Sequence, residues 1–318
     1  MTTSLEDRTT ILQEAEVEVE VVVDVPFEEA VDEVEPASTL PKAEETDGIS
    51  PYPPRTTAKM TTMETTIDNE TERPELAILI ESLTVPGPVG GCLVNCYDYW
   101  RHIDADAWCL NVLQKGYAPD FAKPRPPLTR EWWLHESAST PEKATMLQSS
   151  VEEMMTKDAV EVVRDKDSLG FYSHMFLVVK KNGKFRPVIN LRALNQTLDV
   201  PTFKMETVAT ISATISPGDW AISLDLTDGY FHVPMADWFR KYLRFVINGV
   251  VYQFKALPFG LATAPRVFTK ILSPAAVYIH SLGIPFNRFL DDFLCRASTR
   301  QQLMSWAVTI ITVLCMLG

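Results

Sequence analysis

The 318-residue sequence has no long hydrophobic run. Its most apolar stretch, Leu303–Gly318, is shorter than the roughly 18 residues a membrane span needs, and Ser305, Thr309 and Thr312 interrupt it. A helix packed on a core is the expectation there, with no membrane partner. A secretory leader is also lacking, because the first thirty residues are acidic and have no basic start followed by an apolar centre. Cysteine is scarce. The five present (Cys92, Cys96, Cys109, Cys295, Cys315) include no CxxC pair, and no histidine follows them at zinc-finger spacing. Reduced thiols in an intracellular chain, cytoplasmic or nuclear and not secreted, are the reading. Aromatic residues are nearly missing before residue 90, where Phe27 and Tyr52 stand alone.

The charge is uneven. Of 42 acids and 29 bases, residues 1–90 hold 21 acids and 5 bases, a net of -16; the remainder holds 21 acids and 24 bases, a net of +3. The acidity is therefore a property of the first 90 residues and does not argue against nucleic-acid binding by the rest. With so little apolar surface to offset chain entropy, residues 1–90 read as a disordered acidic tail. Within it, the run Glu16–Val25 alternates acid and valine as a half-buried strand would, but the sequence offers it no partner. A segment that binds another chain is the second reading.

Composition changes near Val89. Residues 91–140 carry Tyr97, Tyr99, Trp100, Trp108, Tyr117, Trp132 and Trp133, enough aromatic surface to order on something larger, and Pro124, Pro126 and Pro127 make an extended connector. From residue 141 to 318 the chain reads as one compact unit. Pro141–Asp158 has helical spacing with Met146, Val151, Met154 and Met155 on one face, and Thr140 is placed to cap it. Met175–Val179 and Lys184–Asn190 flank Asn182-Gly183, and Phe245–Ile247 and Val250–Phe254 flank Asn248-Gly249, both strong hairpin signals. A helical stretch near Met205–Ile215, a strand at Trp220–Leu226, a helix at Ala264–His280, a hairpin at Phe286–Phe293 and a helix at Arg300–Leu317 complete the pattern. Strands and helices do not alternate regularly. The fold class is α+β, a mainly antiparallel sheet backed by helices.

Two features carry chemistry. In Phe289-Leu290-Asp291-Asp292-Phe293-Leu294, two carboxylates sit inside an apolar strand-forming run; by themselves they fit an ordinary surface turn. In Leu224-Asp225-Leu226-Thr227-Asp228-Gly229-Tyr230, a lone Asp225 ends an apolar strand, where a helix cap is the plain alternative. If the two strands are neighbours, three carboxylates converge. Magnesium prefers such hard oxygen ligands, and two such ions can clamp the oxygens of a phosphoryl transfer.

Together these segments resemble the reverse transcriptases. Leu224–Phe231 resembles their first catalytic motif, and Phe289-Leu290-Asp291-Asp292 their second, with Phe289 where a tyrosine is usual. Leu257-Pro258-Phe259-Gly260-Leu261-Ala262-Thr263-Ala264-Pro265 resembles the motif between them, with Phe268 following. Lys180-Lys181-Asn182-Gly183-Lys184-Phe185-Arg186-Pro187 resembles the fingers hairpin, followed by Leu191-Arg192-Ala193-Leu194-Asn195. The order and spacing suit the family over residues 140–318, with retrotransposon enzymes of the DIRS type as the nearest flavour and Gypsy-type elements next.

The resemblance implies a right-hand polymerase's fingers and palm, ending before a thumb, that copies an RNA or DNA template from a primer using deoxynucleoside triphosphates. It implies that Asp225, Asp291 and Asp292 hold two magnesium ions, or manganese in their place, with the carbonyl of Leu226 as a further ligand. Asp228 and Gly229 would offer backbone N–H groups to the triphosphate, a role for which a simple positive-φ turn is the plain alternative at Gly229. Arg186 and one of Lys180 or Lys181 would reach the triphosphate from the fingers. Tyr230 would exclude a ribose 2′-hydroxyl, Phe259 and Gly260 would line the nucleotide site, and Arg192 would contact the template. His232 and Lys255 read as surface or structural residues. The alternative to a polymerase is a truncated, catalytically silent retroelement remnant that binds nucleic acid or a partner. An RNA-templated RNA polymerase is disfavoured by Tyr230.

Overall fold

The computed structural model describes residues 19–20, 87–138, 140–179, 185–206, 210–211, 213–216 and 218–318. The acidic tail lies almost wholly outside these residues, as do Lys180, Lys181 and the turn of the first hairpin. Of the helical stretch expected near Met205–Ile215, residues 207–209 and 212 are outside them, and 210–211 are helical.

In chain order the regular elements are β1 (Val19–Glu20), α1 (Tyr97–His102), α2 (Ala107–Lys115), α3 (Pro141–Thr156), β2 (Val160–Val162), β3 (Met175–Val179), β4 (Phe185–Ile189), α4 (Arg192–Asn195), β5 (Trp220–Asp225), α5 (Asp237–Arg240), β6 (Arg244–Ile247), β7 (Val250–Phe254), α6 (Ala264–Ser281), β8 (Phe286–Phe289), β9 (Asp292–Ala297) and α7 (Arg300–Leu317). The strands form three antiparallel sheets, β1-β5-β9-β8, β2-β7-β6 and the hairpin β3-β4. Antiparallel sheet with helices against it is the expected α+β class. Two residues of the acid–valine run do find a partner: Val19 lies opposite Leu224 and Glu20 opposite Ser223, on the edge of β5.

Local signals explain most boundaries. The Thr140 hydroxyl accepts the Lys143 N–H at 3.3 Å and Pro141 opens α3, as the capping pattern predicts. The buried stripe of α3 is Leu147, Val151 and Met154, an i, i+4, i+7 set. Met146 is half-buried and Met155 exposed, so the apolar face is rotated from the one the methionines suggest. On α7, Leu303, Ala307, Ile310, Ile311 and Leu317 face the core while Val308 and Met316 are exposed. By length and composition α7 is apolar enough to cross a membrane, yet in the fold its stripe packs on β5 and β9.

The aromatic segment orders on this core. Trp100 is fully buried and donates its indole N–H to the Leu317 carbonyl at 2.9 Å; Leu93, Cys109, Val112 and Leu113 join the same hydrophobic cluster as the sheets and α6. Gly116, at φ 76, lets the chain press on Met235 and Ala236, where any side chain would collide with the backbone. Further along, one carboxylate fastens the segment. Glu136 accepts the N–H groups of Ser137 (3.1 Å), Ala138 (3.3 Å), Asn248 (3.1 Å) and Gly249 (3.0 Å). Asn248 and Gly249 both have positive φ (52° and 71°), the two-residue turn the sequence announced for β6–β7.

Glu136→Ala leaves those amides without their charged acceptor and lowers unfolding stability by about 2 kcal/mol. Urea denaturation measures this, and an unchanged midpoint would show that the turn does not depend on the carboxylate.

Candidate active site

The site is built on the pairing of β5 with β9. In this ladder Trp220 lies opposite Ala297 and the register runs on to Asp225 opposite Asp292. β8 and β9 close with Phe289 opposite Asp292, which leaves Leu290 and Asp291 as a two-residue turn. Leu290 takes φ 58, a left-handed conformation that costs a leucine roughly 1 kcal/mol and persists because the strands on both sides fix it. The Leu226 N–H donates to the Asp291 carbonyl at 3.1 Å, which ties the turn to the end of β5. Asp225, Asp291 and Asp292 thus lie at one end of one sheet, on the neighbouring strands that the sequence made the condition for their convergence.

Like charges opposite each other in a ladder destabilise it. Loss of water contact first, and then the charge of Asp291, push the Asp292 carboxyl above the ordinary aspartate range. A cation would relieve both effects. Among the described residues no set of three Asp, Glu, His or Cys side chains is already gathered as a cage for an ion. The donor set still fits magnesium, which keeps several waters and is bound through one or two carboxylates plus substrate phosphates. Asp225, Asp291 and Asp292, with the Leu226 carbonyl, are the groups that could hold it.

Past β5 the chain turns through Thr227 and Asp228 into a 3-10 turn, Gly229–His232. The left-handed residue is Asp228 (φ 53), not Gly229, so the simple positive-φ account of the glycine is replaced by another. A Cβ on Gly229 would lie 2.8 Å from the ring of Phe268, and the glycine is there to admit that ring. The Asp228 carboxylate is held by Lys157, at 2.8 Å, from the end of α3. His232 bridges the carbonyls of Thr227 (3.1 Å) and Gly318 (2.7 Å), and Lys255 pairs with Asp158 at 2.6 Å; both are structural, as expected.

The turn after β5, the loop before α6, α6 itself and β4 share one aromatic stack. Tyr230, 9% exposed, stacks on Phe259 with centroids 4.8 Å apart and meets the edge of Phe268 at 5.3 Å. The Arg186 guanidinium, from β4, sits 5.7 Å from the Phe259 centroid. Gly260 (φ 100) lies so close to β4 that a Cβ would be 2.9 Å from the Ile189 carbonyl oxygen. The structure therefore brings Arg186, Phe259, Gly260 and Tyr230 together, as the sequence suggested. Arg192 is exposed on α4, and Lys180 and Lys181 are outside the described residues.

Sequence reasoning missed Asn195. Its side-chain N–H donates to the Gly260 carbonyl at 2.9 Å, and its side-chain oxygen accepts the Ala262 N–H at 3.0 Å. It clamps the loop that carries Phe259 and Gly260 to α4. Phe268, quoted only as following its motif, is the second omission, since it supports Tyr230 from below. The partners of both residues lie well over 30 positions away in sequence, so no local signal marks them.

The raised Asp292 carboxyl has a consequence for stability. The folded chain binds more protons than the unfolded chain between the ordinary aspartate value and the raised one, so stability falls as pH rises through that window. Without divalent metal, Asp292→Asn melts higher than the parent at neutral pH, and the difference closes below the ordinary aspartate range. Thermal melts across pH check this; equal melting at neutral pH would mean that Asp292 is under no electrostatic stress.

Comparison with known proteins agrees with this arrangement. Residues 178–315 match the family described as Reverse transcriptase (RNA-dependent DNA polymerase). The chain is 25% identical over 173 residues to a putative enzymatic polyprotein of Cassava vein mosaic virus, covering 53% of this chain and 26% of that protein. It is 30% identical over 113 residues to the retrovirus-related Pol polyprotein from transposon gypsy of Drosophila melanogaster, covering 36% of this chain and 11% of that one. Its fold resembles the protease-reverse transcriptase of prototype foamy virus, with a TM-score of 0.50 at 19% identity over 63% of this chain and 26% of the other. The chain spans about a quarter or less of the length of these relatives. Over residues 178–315, the chain is similar to the reverse transcriptase family.

Proposed function

We propose that the chain is the fingers-and-palm part of an RNA-directed DNA polymerase from a retrotransposon polyprotein, transferring a nucleotidyl group from a deoxynucleoside triphosphate to a primer 3′-hydroxyl on an RNA or DNA template. The observation that carries this reading is the β5–β9 register, which sets Asp225 opposite Asp292 with Asp291 in the adjoining turn. Two magnesium ions, or manganese in their place, would supply charge neutralisation at the attacking and leaving oxygens. Asp225, Asp291, Asp292 and the Leu226 carbonyl would hold them. Arg186 neutralises charge on the triphosphate from the fingers side, with Lys180 or Lys181 beside it. The backbone N–H groups of Asp228 and Gly229 offer the anion a cradle in the turn after β5. Arg192 contacts the template strand.

Tyr230 sets sugar choice. Phe259 and Phe268 hold its ring on two sides, so it cannot swing away from a 2′-hydroxyl. Asn195 is a positioning residue, acting through the Phe259–Gly260 loop. The gypsy relative supports a retrotransposon of the long-terminal-repeat kind as the source.

Primer extension on an RNA template with magnesium tests the reading. Asp291→Asn reduces incorporation by on the order of 10³-fold or more, corresponding to several kcal/mol of lost charge stabilisation. Equal incorporation by parent and variant would reduce the Asp-Asp pair to a surface turn. A parent that binds magnesium and triphosphate through Asp291 yet extends nothing would favour the silent-remnant reading. In the same assay Tyr230→Ala admits ribonucleotides while deoxynucleotides remain substrates; unchanged sugar selectivity would remove the gate role.

A further inference from the structure

We propose that the cleft between α2 and the first turn of α6 is a second nucleic-acid site, which holds one unpaired nucleotide of a single strand. The inference rests on the reading above that the chain works on nucleic acid. The cleft has a volume of about 370 Å³, within the usual range of small-ligand sites. Val112, Tyr117 and Ala236 are buried and form its floor. Two indoles line it: Trp108, half-buried, and Trp238, 46% exposed. Lys115 and Arg266 bring positive charge, and Asp120 and Asp199 bring negative charge.

This mixture selects the ligand class. A purely apolar ligand would strand four charges, and a simple anion would be repelled by the two carboxylates. A nucleotide uses all three features. Its base stacks on an indole, its amino edge donates to Asp120 or Asp199, and its phosphate lies by Lys115 or Arg266. The ring faces already attract flat or compact cations: Lys270 lies 3.9 Å from the Trp108 centroid and Arg125 5.2 Å from that of Trp238. Cations interleaved with aromatic faces hold single strands without reading their sequence.

The cleft also shares its framework with the candidate polymerase site. Asp199 follows α4, which carries Arg192 and Asn195, and Arg266 lies in the first turn of α6, which the Phe259–Gly260 loop leads into. Asn195 joins these two elements through Gly260 and Ala262. The α2 wall is fixed as well, because the Tyr117 N–H donates to Pro234 at 2.7 Å and the Tyr117 carbonyl accepts from Ala236 at 2.9 Å. Trp108, Lys115 and Asp120 lie outside residues 178–315, so this half of the cleft is not part of the matched family region.

The test is fluorescence anisotropy of a labelled twelve-nucleotide oligocytidine RNA, whose bases carry the amino donor, titrated with the full chain without divalent metal, across a salt series. Trp238→Ala weakens binding roughly 5- to 150-fold, the range for loss of one stacked base, and Trp238→Phe restores most of it. Arg266→Gln weakens binding and reduces the salt dependence by about one phosphate contact. Melting curves confirm that each variant is folded. Unchanged affinity in Trp238→Ala, together with an unchanged salt slope in Arg266→Gln, overturns the proposal. Magnesium-dependent triphosphate binding, compared between the parent and Asp291→Asn, reports separately on the polymerase reading. If that binding depends on Asp291 while the cleft variants bind RNA as the parent does, this inference alone fails; if the cleft variants lose RNA and nothing depends on Asp291, the polymerase reading alone fails.

Discussion

Everything at the candidate site depends on the antiparallel pairing of β5 with β9. A strand's side chains alternate between faces, so a slip of one residue would send Asp225 and Asp292 to opposite sides of the sheet. The register is held from several directions. Ile222 and Leu224 of β5 and Phe293 and Cys295 of β9 are buried in the common core, and the stripe of α7 packs over both strands. The Leu226-to-Asp291 hydrogen bond pins the turn itself. Three carboxylates at the end of such a sheet oppose folding unless a cation joins them. A fold that keeps them there accepts some instability in the metal-free state, and the raised carboxyl of Asp292 is its local sign.

The second half of the site comes from close approach rather than charge. Gly229 makes room for Phe268, Gly260 makes room for β4, and the resulting gap is filled by the Tyr230–Phe259 stack with Arg186 above it. Asn195 ties α4 to that loop, so a displacement of α4 is carried to the Tyr230–Phe259 stack. Rigid support of this kind is what a selective site needs, because small displacements of positioning groups cost large factors in rate.

Much of this was legible in the sequence, and for identifiable reasons. Hairpins announced by Asn-Gly, the Thr140–Pro141 helix start and the boundaries of α7 rest on local rules, and local rules do not need the rest of the molecule. The carboxylates stand out as acids inside apolar strands, yet by themselves they fit an ordinary turn, and it was the four resembling segments in order that gave them a role. Residues whose role depends on a distant partner were not legible. In the sequence Asn195 is only the last residue of a quoted segment, Glu136 one acid among many, and Met146 and Met155 part of one helix face. Only the tertiary arrangement shows that Asn195 clamps a loop, that Glu136 caps a remote turn and that α3 turns Leu147 inward instead. The acid–valine run around Val19–Glu20 belongs with them, since its partner, the edge of β5, lies some 200 residues away.

The most direct test of the central claim is anomalous diffraction from crystals of the chain grown with manganese and a non-hydrolysable deoxynucleoside triphosphate analogue. The account predicts anomalous peaks between the carboxylates of Asp225 and Asp291, with triphosphate density running toward Arg186 and the turn at Asp228–Gly229. Triphosphate bound elsewhere, or no manganese at the β5–β9 end, would contradict it.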